Sequence, residues 1–307
     1  MSIKCEICSQ ASSGTKKYRD IAGVPFHECL GCGSLFADFK FLESSVSTEK
    51  VTYDDAYWRM ETSAARARSF GSSLSRCAEV FFYSRIPVDI FLDIGTGPGF
   101  FLDAVSKLMP QWQAMFYGVE LFPPPAQYQT KHQNYVIGDL TSLPKKVSAG
   151  MCIEVIEHLH PNQLSEMLAK LALMSEPNAT FLFNSGQPDY VKKEDPGYLD
   201  PLVRGHIVSY STAGVQSIFA KHGFTVIPLP GRAWAFLAQY TANAEIPNAE
   251  QLLTRVWQIL PENAEKLKVN GFGELMYSIG QESARCYIEA ALVIERTKWA
   301  LSMRSQL

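Results

Sequence analysis

A glycine-rich turn between a buried strand and a helix constrains this chain more than any other feature. It reads Phe91-Leu92-Asp93-Ile94-Gly95-Thr96-Gly97-Pro98-Gly99-Phe100-Phe101-Leu102. Glycines let a ligand approach the backbone, and the first turn of a helix offers amide donors without intrahelical partners. Counted from Gly95, the third glycine of a G-x-G-x-x-G dinucleotide fingerprint falls on Phe100, so that fingerprint fails. Pro98 removes one further amide from the loop. The turn suits a nucleoside that carries no pyrophosphate.

Strand-like and helix-like segments alternate around that turn. A helical pattern runs over residues 63–83, with Phe70, Leu74, Cys77 and Phe81 on one face. The apolar run 88–94 enters the glycine turn and helical Phe100–Leu108 leaves it. Strand-like 114–120, 135–138 and 150–155 follow, then a helix with Leu164, Met167, Leu168 and Leu171 at core spacing, then apolar 180–184. Ser211-Thr212 caps a further helix that Gly223 ends, before the closing strand candidates 224–229 and 234–240. This order predicts an α/β fold, a parallel sheet covered by helices on both faces. Beyond Pro247 the pattern is helical to the end. Ile288, Leu292, Trp299 and Met303 lie along one side of the last helix, a stripe for docking onto the domain, with a homodimer contact as the alternative.

Acidic residues fall where strands end. Glu120 closes the strand after the glycine turn, where a carboxylate can accept both ribose hydroxyls. Asp139, in Val136-Ile137-Gly138-Asp139-Leu140, can accept from an adenine amino group. The next strand leads into Glu154-Val155-Ile156-Glu157-His158-Leu159.

Cysteine placement marks a second module. Cys5-Glu6-Ile7-Cys8 and Cys29-Leu30-Gly31-Cys32 are two C-x-x-C knuckles separated by twenty residues. Two facing knuckles make a tetrahedron of thiolates, the set that structural zinc accepts, with no position left for water or substrate. A disulfide framework or a redox pair is the competing explanation. Cys77, Cys152 and Cys286 stand singly, and no apolar signal-peptide core opens the chain, so a reducing, cytoplasmic compartment is expected.

Together, the D-x-G-x-G-x-G turn, the acid ending the second strand, G-D-L and E-V-I-E-H-L resemble the class I S-adenosylmethionine-dependent methyltransferases over roughly residues 85–240. The resemblance implies a Rossmann-like seven-stranded sheet whose last strand is antiparallel. It implies that Asp93, Gly95, Thr96, Gly97 and Gly99 hold the methionine end of the cofactor, Glu120 and Leu121 the ribose, and Asp139 and Leu140 the adenine. Glu154 would place backbone near the sulfonium. A four-cysteine ribbon, then Tyr53-x-x-x-Tyr57-Trp58, then this core is similar to the zinc-ribbon methyltransferases of sugar and natural-product pathways. Leu199-Asp200-Pro201-Leu202-Val203-Arg204-Gly205-His206 matches that group's segment before the last core helix. It carries Val203 and Gly205 where the sugar C-methyltransferases place Tyr and Glu. The organisation expected is a zinc ribbon over 1–44, a methyltransferase core with a helical lead-in over 45–245, and a helical extension over 246–307.

The chemistry then needs a base. A hydroxyl nucleophile gains from a group that takes its proton, and His206 and His158 sit where this fold places the substrate mouth. Tyr53 and Tyr57 are candidates to close over the cofactor, because aromatic faces suit a sulfonium cation. His160 reads as a turn residue, and His27, His132 and His222 as surface or structural. The acceptor expected is a small polar molecule, best a hydroxyl of a sugar or sugar-containing metabolite. RNA is the alternative, since ribbons often touch it. Yet Lys4, Lys16, Lys17, Arg19 and Lys40 oppose Glu6, Asp20, Glu28 and Asp38, and the whole chain carries a formal charge of −3, a poor base for counter-ion release. A cofactor-fold scaffold without turnover is the non-enzymatic alternative. No apolar run of about eighteen residues offers a membrane span.

Overall fold

A computed structural model describes residues 3–8, 14–45, 62–63, 65–268 and 271–304. The first sheet contains β1 (Thr15–Ile21), β2 (Val24–Cys29) and β3 (Leu35–Ala37), all antiparallel. Its fourth strand is β9 (Val208–Ser209), contributed from far along the chain and paired antiparallel to β3. Helix α1 (Phe39–Ser45) leaves this unit.

The second sheet has seven strands in the order β10-β11-β8-β7-β4-β5-β6. They are β4 (Phe91–Ile94), β5 (Phe116–Glu120), β6 (Tyr135–Ile137), β7 (Val147–Ile153), β8 (Ser175–Asn184), β10 (Thr225–Pro228) and β11 (Ala235–Gln239). The pairs from β8 through β6 are parallel, and β11 runs against both of its neighbours. The antiparallel strand is the hairpin partner that the closing pair in the sequence predicts.

Alternation along β8 divides the core. Phe181 and Phe183 face one side, where Phe183 stacks on Phe236 and meets Phe219 edge to face. Leu182 faces the other, with Leu237, Phe81 and Phe91. The first side is covered by α4 (Pro161–Met174) and α6 (Thr212–Phe219), the second by α2 (Ser72–Tyr83) and α3 (Phe100–Leu108). Ser211 caps α6 by accepting from the Gly214 amide, and Gly223 closes its last turn at φ 81°.

Several boundaries differ from the sequence pattern for local reasons. The helical pattern over 63–83 is broken by a turn at Phe70 and Gly71, and α2 starts at Ser72. Strand β4 starts only at Phe91 because Ser148 Oγ accepts from the amides of Asp89 and Ile90 at 2.9 and 3.1 Å, replacing strand pairing there. Pro110 opens a 3-10 turn that runs to Met115, which delays β5 to Phe116.

The remaining helices are α5 (Pro188–Lys193), α7 (Ala249–Trp257), α8 (Pro261–Lys268) and α9 (Gly271–Arg304). The last three pack on α2. Buried Asn263 accepts from the Val88 amide and donates to the carbonyls of Phe81 and Ile86. Helix α9 approaches α2 so closely that a Cβ on Gly280 would fall 2.7 Å from that of Ala78. Wholly buried Glu79 pairs with Arg232 and Arg76 and accepts from Ser283. Ile288 and Leu292 are buried in this same core, so this half of the predicted stripe docks within the chain. The side chains of Trp299 and Met303 lie outside the described residues, as do Tyr53 and Tyr57. Among the described residues no helix is long and apolar enough to cross a membrane.

Candidate cofactor and acceptor site

The carboxyl ends of the parallel strands converge on the glycine turn, which follows β4. Gly95, Gly97 and Gly99 all have left-handed backbones, with φ of 68°, 57° and 78°. A Cβ at Gly95 would collide with Val155 at 2.6 Å, whereas one at Gly97 would meet nothing within 4 Å. The turn is therefore pressed against the β7 loop at one glycine and open above the next. Tyr135 donates its hydroxyl to Gly97 O at 2.8 Å, fixing the turn from β6.

Asp93 lies beneath, accepting from Thr96 Oγ1 at 2.7 Å. Burial pushes its carboxyl up to about 7, with the Glu120 charge adding and the Thr96 bond opposing. Glu120, at the end of β5, accepts from the amides of Gly97 (2.8 Å) and Phe122 (2.9 Å). Leu121 and Phe122 beside it are exposed, leaving an apolar edge next to the carboxylate. Asp139 follows β6 and caps the next turn by accepting from Thr141. Its bond from Lys170, at 2.8 Å, holds its carboxyl down at about 2, with Thr141 contributing. Leu140 is buried. An open cradle over Gly97 with a facing carboxylate and an apolar edge fits a nucleoside ligand such as S-adenosylmethionine.

Glu154, just past β7, holds φ 54°, a conformation that L side chains rarely adopt. It is clamped there. Its amide donates to Asn184 O, and its carboxylate accepts from Asn184 Nδ2 at 2.8 Å and Tyr198 Oη at 3.2 Å. Residues 156–158 form a 3-10 turn that brings His158 under the 195–206 loop.

The structure brings His158 and His206 together, rings edge to face with centroids 4.7 Å apart. His206 Nδ1 donates to Tyr198 O at 2.8 Å and His158 Nδ1 to Gly205 O at 3.1 Å. A carbonyl only accepts, so both protons sit on Nδ1 and both Nε2 atoms keep lone pairs. Burial lowers both imidazoles, His206 to about 3 with the His158 charge adding. Both are neutral at pH 7. Tyr198 packs on His206, Tyr190 meets Tyr198 edge to face, and Arg204, whose charge acts on His206, pairs with Asp195 at 3.2 Å. His160, read from the sequence as a turn residue, is the N-cap of α4, and its ring meets Phe39.

Two residues of this site carry no signal of their role in the sequence. Tyr198, which supports Glu154 and His206, directly precedes the quoted loop and carries no motif of its own. Glu157 was visible inside E-V-I-E-H, but nothing in the string shows that its carboxylate is wholly buried against the two histidines.

The four amino-terminal cysteines also converge. Cys8 Sγ lies 3.8 Å from Cys5 Sγ and 3.7 Å from Cys29 Sγ. Tetrahedral zinc with Zn–S bonds of about 2.3 Å separates its sulfurs by about 3.8 Å, so the set fits zinc; a disulfide needs about 2.05 Å. The Cys32 amide donates to Cys29 Sγ, and Gly33 turns the knuckle at φ 79°. The hydrogen bond from Cys5 holds the Cys32 thiol down at about 5, a thiolate ready for metal. This unit is fastened to the core: Ser34 accepts from the Ser211 amide, Ser217 donates to Ile7 O, and Ala37 donates its amide to Ile207 O.

A family model described as a methyltransferase domain matches residues 64–229. No curated protein matches the chain. Among solved structures, the chain is similar to CalS10, an amino pentose methyltransferase from Micromonospora echinaspora, at 15% identity and TM-score 0.45, over 63% of this chain and 100% of that one. Streptomyces venezuelae DesVI gives 17%, 0.45, and 64% and 99% coverage. An O-methyltransferase described as putative, from Nostoc punctiforme, gives 16%, 0.47, and 64% of each chain.

Proposed function

The chain belongs to the methyltransferase-domain family, an S-adenosylmethionine-dependent enzyme class, and from that premise we propose that it methylates a hydroxyl of a small polar acceptor, best a sugar or sugar-containing metabolite. The observation that carries this reading is the pair of neutral imidazoles at the end of β7, whose Nε2 atoms are free to take a hydroxyl proton. Bound S-adenosylmethionine supplies an electrophilic methyl group on a positive sulfur. The chain's part is to hold the cofactor with Asp93, Gly95, Thr96, Gly97, Gly99, Glu120, Leu121, Asp139, Leu140 and Glu154, and to align the acceptor oxygen for in-line attack. His158 is the more exposed of the pair and in this reading faces the acceptor, with the His206 ring packed edge to face against it. Tyr190, Asp195 and Arg204 offer the donors and acceptors that a polyol needs. Zinc on Cys5, Cys8, Cys29 and Cys32 is structural in this reading.

The RNA alternative loses its best support in the fold. Within Lys16-Lys17-Tyr18-Arg19, Lys16 pairs with Glu28, Lys17 pairs with Asp20, and Arg19 donates to Pro196 O. Those cations are already neutralised or committed, which leaves little to release counter-ions from a phosphate backbone. The test is methyl-labelled S-adenosylmethionine offered separately with a small-molecule extract and with total RNA. Label in small molecules, unchanged by ribonuclease, supports the proposal and supplies the product for mass analysis. Label confined to RNA overturns it.

A further inference from the structure

Three groups with metal-ligating atoms, Glu157, His158 and His206, meet at the end of β7. Glu157 is wholly buried, and neither of its carboxylate oxygens has a hydrogen-bond partner. Its Oε1 lies 3.8 Å from His206 Nε2 and 4.0 Å from His158 Nε2, too far for hydrogen bonds. Both Nε2 atoms carry lone pairs, because both Nδ1 protons are engaged by the carbonyls of Tyr198 and Gly205. The three ligating atoms all lie within 4.8 Å of one another. Glu154 also approaches Glu157, while its own oxygens accept from Asn184 and Tyr198.

A bare carboxylate buried against two imidazole lone pairs is unfavourable; a proton or a cation placed among the three groups relieves it. We propose that Glu157, His158 and His206 form a divalent metal site, a second one besides the four cysteines, taking zinc or a neighbouring first-row ion. Two imidazole nitrogens and one carboxylate oxygen are the donor set of an open metal site, one that keeps positions for an outside oxygen. Each histidine already gives its other ring proton to a backbone carbonyl, the support that ligating histidines characteristically have. Bonds of about 2.1 Å at tetrahedral to trigonal angles place donors roughly 3.3–3.6 Å apart; the two carboxylate–imidazole distances lie within a few tenths of an ångström of that, and the whole set, within 4.8 Å, closes with side-chain shifts of about an ångström.

This inference rests on reading the end of β7 as the acceptor mouth. An ion there would occupy the imidazole lone pairs, so proton transfer to His158 would belong to the metal-free site; with the ion held, the acceptor hydroxyl would be acidified by its field and would release its proton to solvent water. The part-exposed His158 marks the side from which that oxygen would enter.

The test counts metal on the full chain. The wild type is titrated with zinc after removal of loosely held ions, with stoichiometry read by elemental analysis and affinity by calorimetry. The same is done for Glu157→Gln, His206→Gln and His158→Gln. The expected result is one equivalent more in the wild type than in the variants, with affinity at that site reduced at least a hundredfold. Each variant must retain S-adenosylmethionine binding, which shows that it folds; His158→Gln, at the most exposed position, stands in if a buried variant does not. Equal zinc stoichiometry and affinity in the wild type and a folded variant overturn the site. Ion binding without methyl transfer to any small molecule would sink the acceptor reading and leave the metal site standing.

Discussion

His158 and His206 meet edge to face, 4.7 Å between ring centroids, and each is tautomerically fixed by a backbone carbonyl of the loop that covers the site. One helix-side turn and one loop far along the chain thus bring two imidazoles to one place. Replacing His158 by Ala should lower kcat by about 10²–10⁴-fold while S-adenosylmethionine affinity, measured by calorimetry, stays near that of the wild type. Unchanged turnover in the folded variant would remove the histidine pair from the proposed chemistry.

Asp93 sets a pH dependence. Burial raises its folded-state carboxyl to about 7, above the ordinary value of 3.8. The folded state therefore binds more protons than the unfolded state between those values, so this group's contribution is fully present below pH 3.8 and is lost as pH rises through 7. At about 1.4 kcal/mol per pKa unit, the loss is of the order of a few kcal/mol. Thermal melts of the wild type and Asp93→Asn from pH 4 to 8 should show the variant gaining relative stability as pH rises. A constant difference would refute the assignment.

Zinc removal should be felt beyond the ribbon. Ile207 accepts from the Ala37 amide of β3 and donates its own amide to Glu157 O, so one residue joins the cysteine unit to the histidine site. Chelation, or Cys29→Ser, should accelerate amide exchange at residues 206–211 and reduce turnover together. Faster exchange confined to residues 3–37, with full activity, would show that the two units are uncoupled.

The Glu79–Arg232 pair secures the carboxy-terminal helices. Both side chains are almost completely buried, and Trp234 and Tyr287 stack against the guanidinium. Arg232→Met should destabilise the fold by about 3–5 kcal/mol, because it leaves a buried carboxylate undercompensated. Adding Glu79→Gln should recover part of that loss. Urea denaturation of the single and double variants measures both effects, and additive losses would show that the two residues act independently.

The sequence by itself determined the sheet and the cradle. A buried strand running into Asp93-Ile94-Gly95-Thr96-Gly97-Pro98-Gly99 leaves little other geometry, because the left-handed turn needs glycine, and apolar periodicity marks the strands of the seven-stranded sheet and the helices α2, α3, α4 and α6. The C-x-x-C spacing likewise determined which sulfurs could meet, since each knuckle is local. Tertiary structure alone decided the rest. That β9 completes the ribbon's sheet, that Glu79 meets Arg232 across 153 residues, and that Glu157 is sealed between two histidines are all long-range facts. Local propensity carries no information about which distant backbone will supply a partner. Nor does it say whether a carboxylate in an E-H pair will face water or be buried without a proton donor.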